Sequence, residues 1–301
     1  MSGRSTIKSD GIWYKGNIHA HTRISDGTLS PEALARAYQE QGYDFIAITD
    51  HRVYGRHETL CRDDFIVLPG VELDVLVQEK NALCHHIIGL GLPGKNKLSH
   101  GQSIFYDTDT SVDQLIAYLK SNGNICIYAH PNWSHVFPER LAGMDGLLGL
   151  EIFNYACEVH AATGFSDAWY DRLLWDGQKL FCVASDDTHH DQTDIGGGFI
   201  FVKANELSHQ AIMDSIVAGC FHASEGPLID LFYVEDEKAF VSCSPCRSIG
   251  LLSNSYPGMA INDETGNLTE GFFTLKGHER YVRAVCTDSN GRRAWSQPIW
   301  L

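Results

Sequence analysis

The chain has 301 residues, 44% of them hydrophobic, and a formal charge of −15. That length and content suit a globular protein with a full core, split into a large and a small domain, while the acidic balance excludes long nucleic acid as a partner, which needs a basic track. The first ten residues lack the apolar stretch of a signal peptide, and no apolar run approaches the roughly 20 residues of a membrane span, so the expected setting is cytoplasmic.

From about residue 12 to 225, short apolar runs alternate with amphipathic stretches. Strands are predicted at 14–19, 45–49, 65–72, 85–90, 125–129, 150–153, 180–184 and 199–202, and helices at 31–41, 112–122, 166–176 and 208–218. The first helix has Ser30 as N-cap, Pro31 at its first position and Gly42 where a left-handed residue belongs. The second carries Leu115, Ile116 and Leu119 on one stripe, and the fourth places Ile212 and Ile216 together before Gly219. Such alternation predicts an α/β domain of parallel strands joined by crossovers. After about Ser224 the helical period disappears. Strands are predicted at 228–234, 238–241, 248–253, 271–275 and 281–287, with turns at Tyr256-Pro257-Gly258-Met259 and Ser289-Asn290-Gly291-Arg292. This predicts a small antiparallel β-sandwich over 227–301 behind a catalytic domain over 1–226, with the boundary near Gly226-Pro227.

Nine cysteines form no compact disulfide framework, so reduced thiols are the default reading. Cys243-Ser-Pro-Cys246 has the spacing of half a zinc site, but no second pair stands at suitable spacing.

The chemistry lies in residues at or just beyond the ends of the apolar runs. His19 and His21 are two apart, so on a strand both imidazoles face one side. Asp26 follows in a Ser-Asp-Gly turn before a capped helix. His51 ends Phe-Ile-Ala-Ile-Thr-Asp-His, with Asp50 placed to fix a histidine tautomer. Glu72 ends another run without a Lys or Arg within five residues, and a buried carboxylate without a cation is costly. His85 and His86 are adjacent, so one of them reaches the site. His130 precedes Pro131 at a strand exit. Asp187 and His189 repeat the spacing of the opening pair, and parity puts Asp186 and His190 behind them. Side chains from many strand ends converge at one mouth of an α/β barrel, so the series predicts a multinuclear metal site. The other histidines, including His57, His100, His135, His160, His209, His222 and His278, are expected on the surface or in turns. His135 is close enough in sequence to His130 to touch substrate, and Arg23 and Arg52 directly follow site residues and are candidates for gripping an anion. Gly196-Gly197-Gly198 reads as a flexible rim.

The order His-x-His with downstream Ser-Asp-Gly, then Thr-Asp-His, Gly-Val-Glu, Ala-His-Pro and Asp-x-His resembles the PHP (polymerase and histidinol phosphatase) family of metal-dependent hydrolases. The junction Phe221-His222-Ala223-Ser224-Glu225-Gly226-Pro227 and the final 21 residues, from Tyr281, are similar to the carbaryl-hydrolase-like (CehA/McbA) branch. The resemblance implies a distorted seven-stranded (βα) barrel with two or three divalent zinc, iron or manganese ions. By motif, His19, His21, Glu72 and Asp187 would hold the first ion. Glu72 would bridge to a second completed by His86 and His130, and Asp26, His51 and His189 would hold a third. One departure is Asp186-Asp187-Thr188-His189, where most members have a single Asp before x-His.

Water shared by two cations ionises near neutral pH, giving hydroxide, here expected on the ions held by Glu72 and Asp187. The cations also make the mouth attractive to a small anion despite the acidic chain. The expected function is a phosphoesterase acting on a small phosphomonoester or nucleotide-like phosphate. The alternative is a carboxylic ester, carbamate or amide hydrolase using the same centre.

Overall fold

A computed structural model of the chain describes residues 4, 5, 7, 10–77, 83–190, 193–255 and 258–301. Strands β1 (Arg4–Ser5) and β2 (Ile12–Asn17) precede helix α1 (Pro31–Glu40). Next come β3 (Phe45–Ile48), β4 (Val53–Tyr54), the long pair β5 (Ile66–Val77) and β6 (Leu83–Gly91), then β7 (Gln102–Ser103) and α2 (Val112–Ser121). They are followed by β8 (Asn124–Tyr128), α3 (Pro138–Leu141), β9 (Leu147–Asn154), α4 (Tyr155–Ala161), α5 (Asp167–Trp175) and β10 (Phe181–Ser185). After β11 (Phe199–Ala204), α6 (His209–Val217) and β12 (Phe221–Ser224) the chain is all strand. That part comprises β13 (Ile229–Glu235), β14 (Lys238–Cys246), β15 (Ser248–Ser253), β16 (Met259–Asn262), β17 (Leu268–Thr274), β18 (Tyr281–Thr287), β19 (Arg293–Ser296) and β20 (Ile299–Trp300).

The architecture is mixed α/β. One large sheet runs β10-β9-β8-β6-β5-β3-β2-β11-β12-β19-β18-β15-β16, with β20 beside β18. The segments just past β2 and β10 also meet: the Asp187 N–H donates to the His19 carbonyl and the His21 N–H to the Thr188 carbonyl, both at 2.9 Å. The run from β10 to β2 is therefore tied together at its two ends, beside the predicted metal residues. Two of the expected parallel crossovers are absent, because β5 pairs antiparallel with β6 and β6 antiparallel with β8. Only residues 78–82 join β5 to β6, whereas a parallel crossover needs a dozen or more. β11 likewise runs antiparallel to both β2 and β12.

Period-2 alternation explains the core. Phe45 and Ala47 of β3 join Ile125 and Ile127 of β8 in one apolar cluster. Ile46 and Ile48 of β3 face Leu34 and Tyr38 of α1. Cys126 and Tyr128 of β8 face Leu115, Ile116 and Leu119 of α2. Strands buried on both faces read as continuous apolar runs, and that is how they were recognised. α1 begins as expected, with the Ser30 side chain accepting from the Ala33 N–H, and Gly42 adopts φ 73°.

The predicted boundary at 226/227 falls between β12 and β13, but hydrogen bonding does not stop there: β12 pairs with β19, so the large sheet continues into the C-terminal part. A four-stranded sheet, β1-β13-β14-β17, packs on that end, and β1 brings residues 4–5 across to Val234 and Tyr233. Ile229, Phe232 and Val241 of the small sheet share a core with Ile249, Val282 and Ala284 of the large one. Cys243, Cys246 and Cys286 are buried in this cluster as free thiols. Of the predicted Tyr256-Pro257-Gly258-Met259 turn, Tyr256 and Pro257 lie outside the described residues. His57 and His222, expected at the surface, are buried. His222 lies on β12 between the rings of Trp13 and Phe201, where its Nε2 accepts from the Ile229 N–H at 3.1 Å. Among the described residues no helix is long and apolar enough to cross a membrane.

Candidate metal centre

The nine residues predicted as ligands come together at one end of the large sheet. His19 and His21 leave β2 with Ala20 turned away into the cluster around α1, so both imidazoles point the same way. Their Nε2 atoms are 3.2 Å apart. Glu72, 1% exposed on β5, places Oε2 3.3 Å from His19 Nε2 and 3.2 Å from His21 Nε2. Asp187 Oδ1 stands 3.2 and 3.1 Å from the same two nitrogens. His86 Nδ1 and His130 Nε2 face the other carboxylate oxygen of Glu72 at 2.9 and 3.5 Å. On the outer side, Asp26 Oδ2 lies 3.6 Å from both His51 Nε2 and His189 Nε2. His85 points the other way, with Nδ1 2.7 Å from the Tyr128 hydroxyl.

These spacings suit cations. Four donor atoms held about 2.0 Å from a tetrahedral ion sit about 3.3 Å from each other. The atoms of His19, His21, Glu72 and Asp187 named above are separated by 3.1–3.3 Å wherever a distance is defined. Overlapping groups drawn from His19, His21, Glu72, His130 and Asp187, from His51, Glu72 and His86, and from His21, Asp26, His51 and His189 could each hold an ion. Asp187 Oδ1 and His51 Nδ1 are buried without a hydrogen-bond partner, an expensive condition that a bound cation would relieve. Imidazole and carboxylate donors fit zinc, iron or manganese.

Backbone strain concentrates here. His130 (φ 28°) and Asp187 (φ 54°) both occupy left-handed conformations that non-glycine residues rarely adopt. Asp187 lies past the end of β10, so its direction comes from this turn and not from strand parity.

The surroundings correct several expectations. Asp50 orients no histidine. It accepts from the Thr22 N–H and hydroxyl and from the Ser25 hydroxyl at 2.7–2.8 Å, fixing the loop that carries Asp26. Gly196-Gly197-Gly198 is no loose rim, since its three N–H groups donate to the Asp186 carboxylate at 2.7–2.9 Å. A Cβ on Gly197 would sit 2.1 Å from the Tyr155 ring, so glycine is needed for this close approach. Arg52 does not reach freely into the mouth, because Asp74 holds its Nε at 2.8 Å and Nη2 at 2.6 Å. Arg23 is exposed and donates to the Thr28 carbonyl at 2.5 Å. His135 is exposed in a left-handed turn and makes no described contact with the nine.

Glu151, in the middle of β9, was missed. Wholly buried, it accepts from the Ser185 hydroxyl, from the His130 N–H at 2.9 Å and from Asn154 Nδ2 at 2.8 Å, and it lies 2.8 Å from His19 Nδ1. The signal was present: a lone carboxylate inside an apolar strand needs partners, the same reasoning that singled out Glu72.

Without cations, protons take their place. Burial opposes charge on His21, but the carboxylates of Asp187 and Glu72 override it and raise its pKa to about 9. His86 is likewise driven up to about 10 against burial, chiefly by Glu72. Burial would raise the Glu72 and Asp187 carboxyls, yet the surrounding imidazoles, His19 foremost, hold both well below the usual range. Metal ligation needs unprotonated nitrogens. Loading the metal-free protein at pH 7 should therefore release at least two protons per chain, from His21 and His86, and affinity should strengthen as pH rises towards 9. An indicator dye in weakly buffered solution measures the release; fewer than one proton would contradict the arrangement.

No protein-family model matches the chain. Part of it is 35% identical to the 5'-3' exoribonuclease Rnm of Escherichia coli, covering 25% of this chain and 27% of that protein. A similar stretch is 34% identical to the DNA polymerase/3'-5' exonuclease PolX of Bacillus subtilis, covering 21% and 14% respectively. The chain thus spans about a quarter of the exoribonuclease's length and less of PolX. A crystal structure from Bacteroides vulgatus, a two-domain protein containing a predicted PHP-like metal-dependent phosphoesterase, superposes with a TM-score of 0.51 at 16% identity. That match covers 96% of this chain and 94% of the other, so the two share a fold.

Proposed function

We propose that the protein is a metal-dependent hydrolase of the PHP type, and that it cleaves small phosphomonoesters. The observation that carries this reading is Glu72, a buried carboxylate facing the imidazoles of His19, His21, His51, His86 and His130 within 3.5 Å. In the finer assignment, His19, His21, Glu72 and Asp187 hold one ion. Glu72, His86 and His130 hold a second, and Asp26, His51 and His189 a third. The run from β10 to β2, closed by the Ala20–Thr188 bridge, is read as the seven-stranded barrel, and the strands after Pro227 as the sandwich. The stretches similar to an exoribonuclease and to PolX support a PHP reading; the acidic chain favours a small substrate over a polynucleotide.

Bound divalent ions would lower the pKa of water and polarise the phosphoryl oxygens. The chain's own residues prepare the site. Glu151 accepts the Nδ1 proton of His19, which leaves the Nε2 lone pair facing Glu72 and Asp187. The Asp187 carbonyl does the same for His189, whose Nδ1 lies 2.8 Å away, so that Nε2 faces Asp26. Arg52, pinned by Asp74 beside His51, offers positive charge to an incoming anion, with Arg23 and His135 assigned to the outer rim. Hydrolysis joins the water oxygen to phosphorus, breaks the ester P–O bond and returns a proton to the departing alcohol.

The test combines metal analysis with turnover. Purified protein should carry two or three transition ions per chain and release phosphate from a monoester panel faster than it cleaves p-nitrophenyl acetate or aryl carbamates. His130→Ala should lose both metal and turnover. Ester or carbamate cleavage without phosphate release would transfer the assignment to the carboxylic ester, carbamate or amide class.

A further inference from the structure

The hairpin β5/β6 continues beyond the metal centre, and its register fixes what the substrate meets there. Directly opposed residues in an antiparallel pair project on the same side of the sheet, and that side repeats every second residue. Glu72 opposes Ile88, Asp74 opposes His86, and Leu76 opposes Cys84. The side that holds Glu72 and His86 at the centre therefore next presents Leu76 and Cys84. The opposite side carries Leu73, Val75 and Ile87, which are buried in the cluster with α2. Leu76 is 67% exposed, although it lies on the side facing the mouth.

Trp133 borders the same place. Its ring stands edge-on to His130 at 4.9 Å and to His86 at 5.8 Å, and 39% of it is exposed. Cys84 hydrogen-bonds His86 as well, so the His86 imidazole is flanked by Trp133 and by the Leu76–Cys84 step. An exposed indole beside two proposed ligands is an apolar, flat surface at the point where a reacting group would sit. Polar and charged groups gather on the other flank, where Arg52 and Asp74 pair.

We infer that the substrate carries a flat aromatic group next to its reacting centre, which stacks on Trp133 and lies along the Leu76–Cys84 side of the hairpin. This rests on the hydrolase reading above and narrows it to aryl monoesters over alkyl or sugar monoesters. The anionic end would turn towards Arg52 while the ring turns towards Trp133.

The experiment compares phenyl phosphate with ethyl phosphate on metal-loaded wild type, Trp133→Ala and Trp133→Phe. The ratio of kcat/KM for phenyl over ethyl phosphate should fall about 10- to 100-fold in Trp133→Ala, the scale of losing one stacked ring. Trp133→Phe should keep most of it, and Leu76→Asp should lower the ratio in the same direction. An unchanged ratio in Trp133→Ala, or equal losses on both substrates, overturns the inference. If the wild type releases phosphate from neither compound, the phosphoesterase reading fails by itself. Calorimetric binding of phenylphosphonate then decides the inference: at least tenfold weaker binding to Trp133→Ala supports it, and equal affinity overturns it.

Discussion

Glu72→Gln should strip the protein of bound metal and reduce turnover by at least about 10³-fold, corresponding to the several kcal/mol that metal-ion catalysis supplies. The substitution preserves shape and removes one charge, at the point where five imidazoles meet. Oε2 lies 3.2–3.3 Å from nitrogens of His19, His21 and His51, and Oε1 lies 2.9 Å from His86 and 3.5 Å from His130. A neutral amide ligates cations weakly, and its NH₂ would aim hydrogens at imidazole nitrogens that should bind metal. The metal-free protein should suffer too, because the carboxylate holds His86 protonated; breaking a buried ion pair costs about 3–5 kcal/mol. Metal analysis by mass spectrometry and urea denaturation of both proteins check this. A variant that keeps its full complement of ions and works within tenfold of wild type would remove Glu72 from the bridging role.

The candidate site was more legible than the fold around it. Strand ends that finish in His, Asp or Glu after apolar runs announce themselves, because an apolar strand delivers its next polar residue to the mouth of the sheet. The i, i+2 spacing placed His19 and His21 on one side, and adjacency separated His85 from His86. Asp187 was chosen over Asp186 by the same parity, and the structure does bring it among the imidazoles, but through a left-handed turn beyond β10 that no alternation rule contains. Strand direction was misread between 65 and 90 because the polar residues there looked like a linker. Asp74 and His86 are polar for the site's sake and still belong to strands, so β5 and β6 run on until only a tight connection remains. The glycine run was taken for slack because its partner, Asp186, is ten residues upstream of Gly196 and three N–H groups converging on one carboxylate leave no local pattern.

Glu151 shows how a residue outside the cluster can control it, and Glu151→Gln should weaken metal binding about 10- to 100-fold, the usual cost of losing an outer partner of a ligating histidine. An ionised carboxylate accepts only, and each group around Glu151 is a donor: the His19 ring at Nδ1, the Ser185 hydroxyl, the His130 N–H and Asn154 Nδ2. Glutamine must put its NH₂ on one side. Facing His130 and Asn154, it sets donor against donor at 2.8–2.9 Å and loosens the left-handed turn that aims His130. Facing His19 and Ser185, it reverses the imidazole tautomer and turns an Nε2–H towards Glu72 and Asp187, where a lone pair is needed. Either choice leaves two buried donors unpaired at about 1–3 kcal/mol each, so stability should fall by about 2–4 kcal/mol as well. The two effects separate experimentally. Competition with a chelator reads metal affinity in the folded protein, where a purely structural loss would leave it alone. If the variant binds metal within threefold of wild type, Glu151 supports the fold and the tautomer of His19 is set by the metal itself.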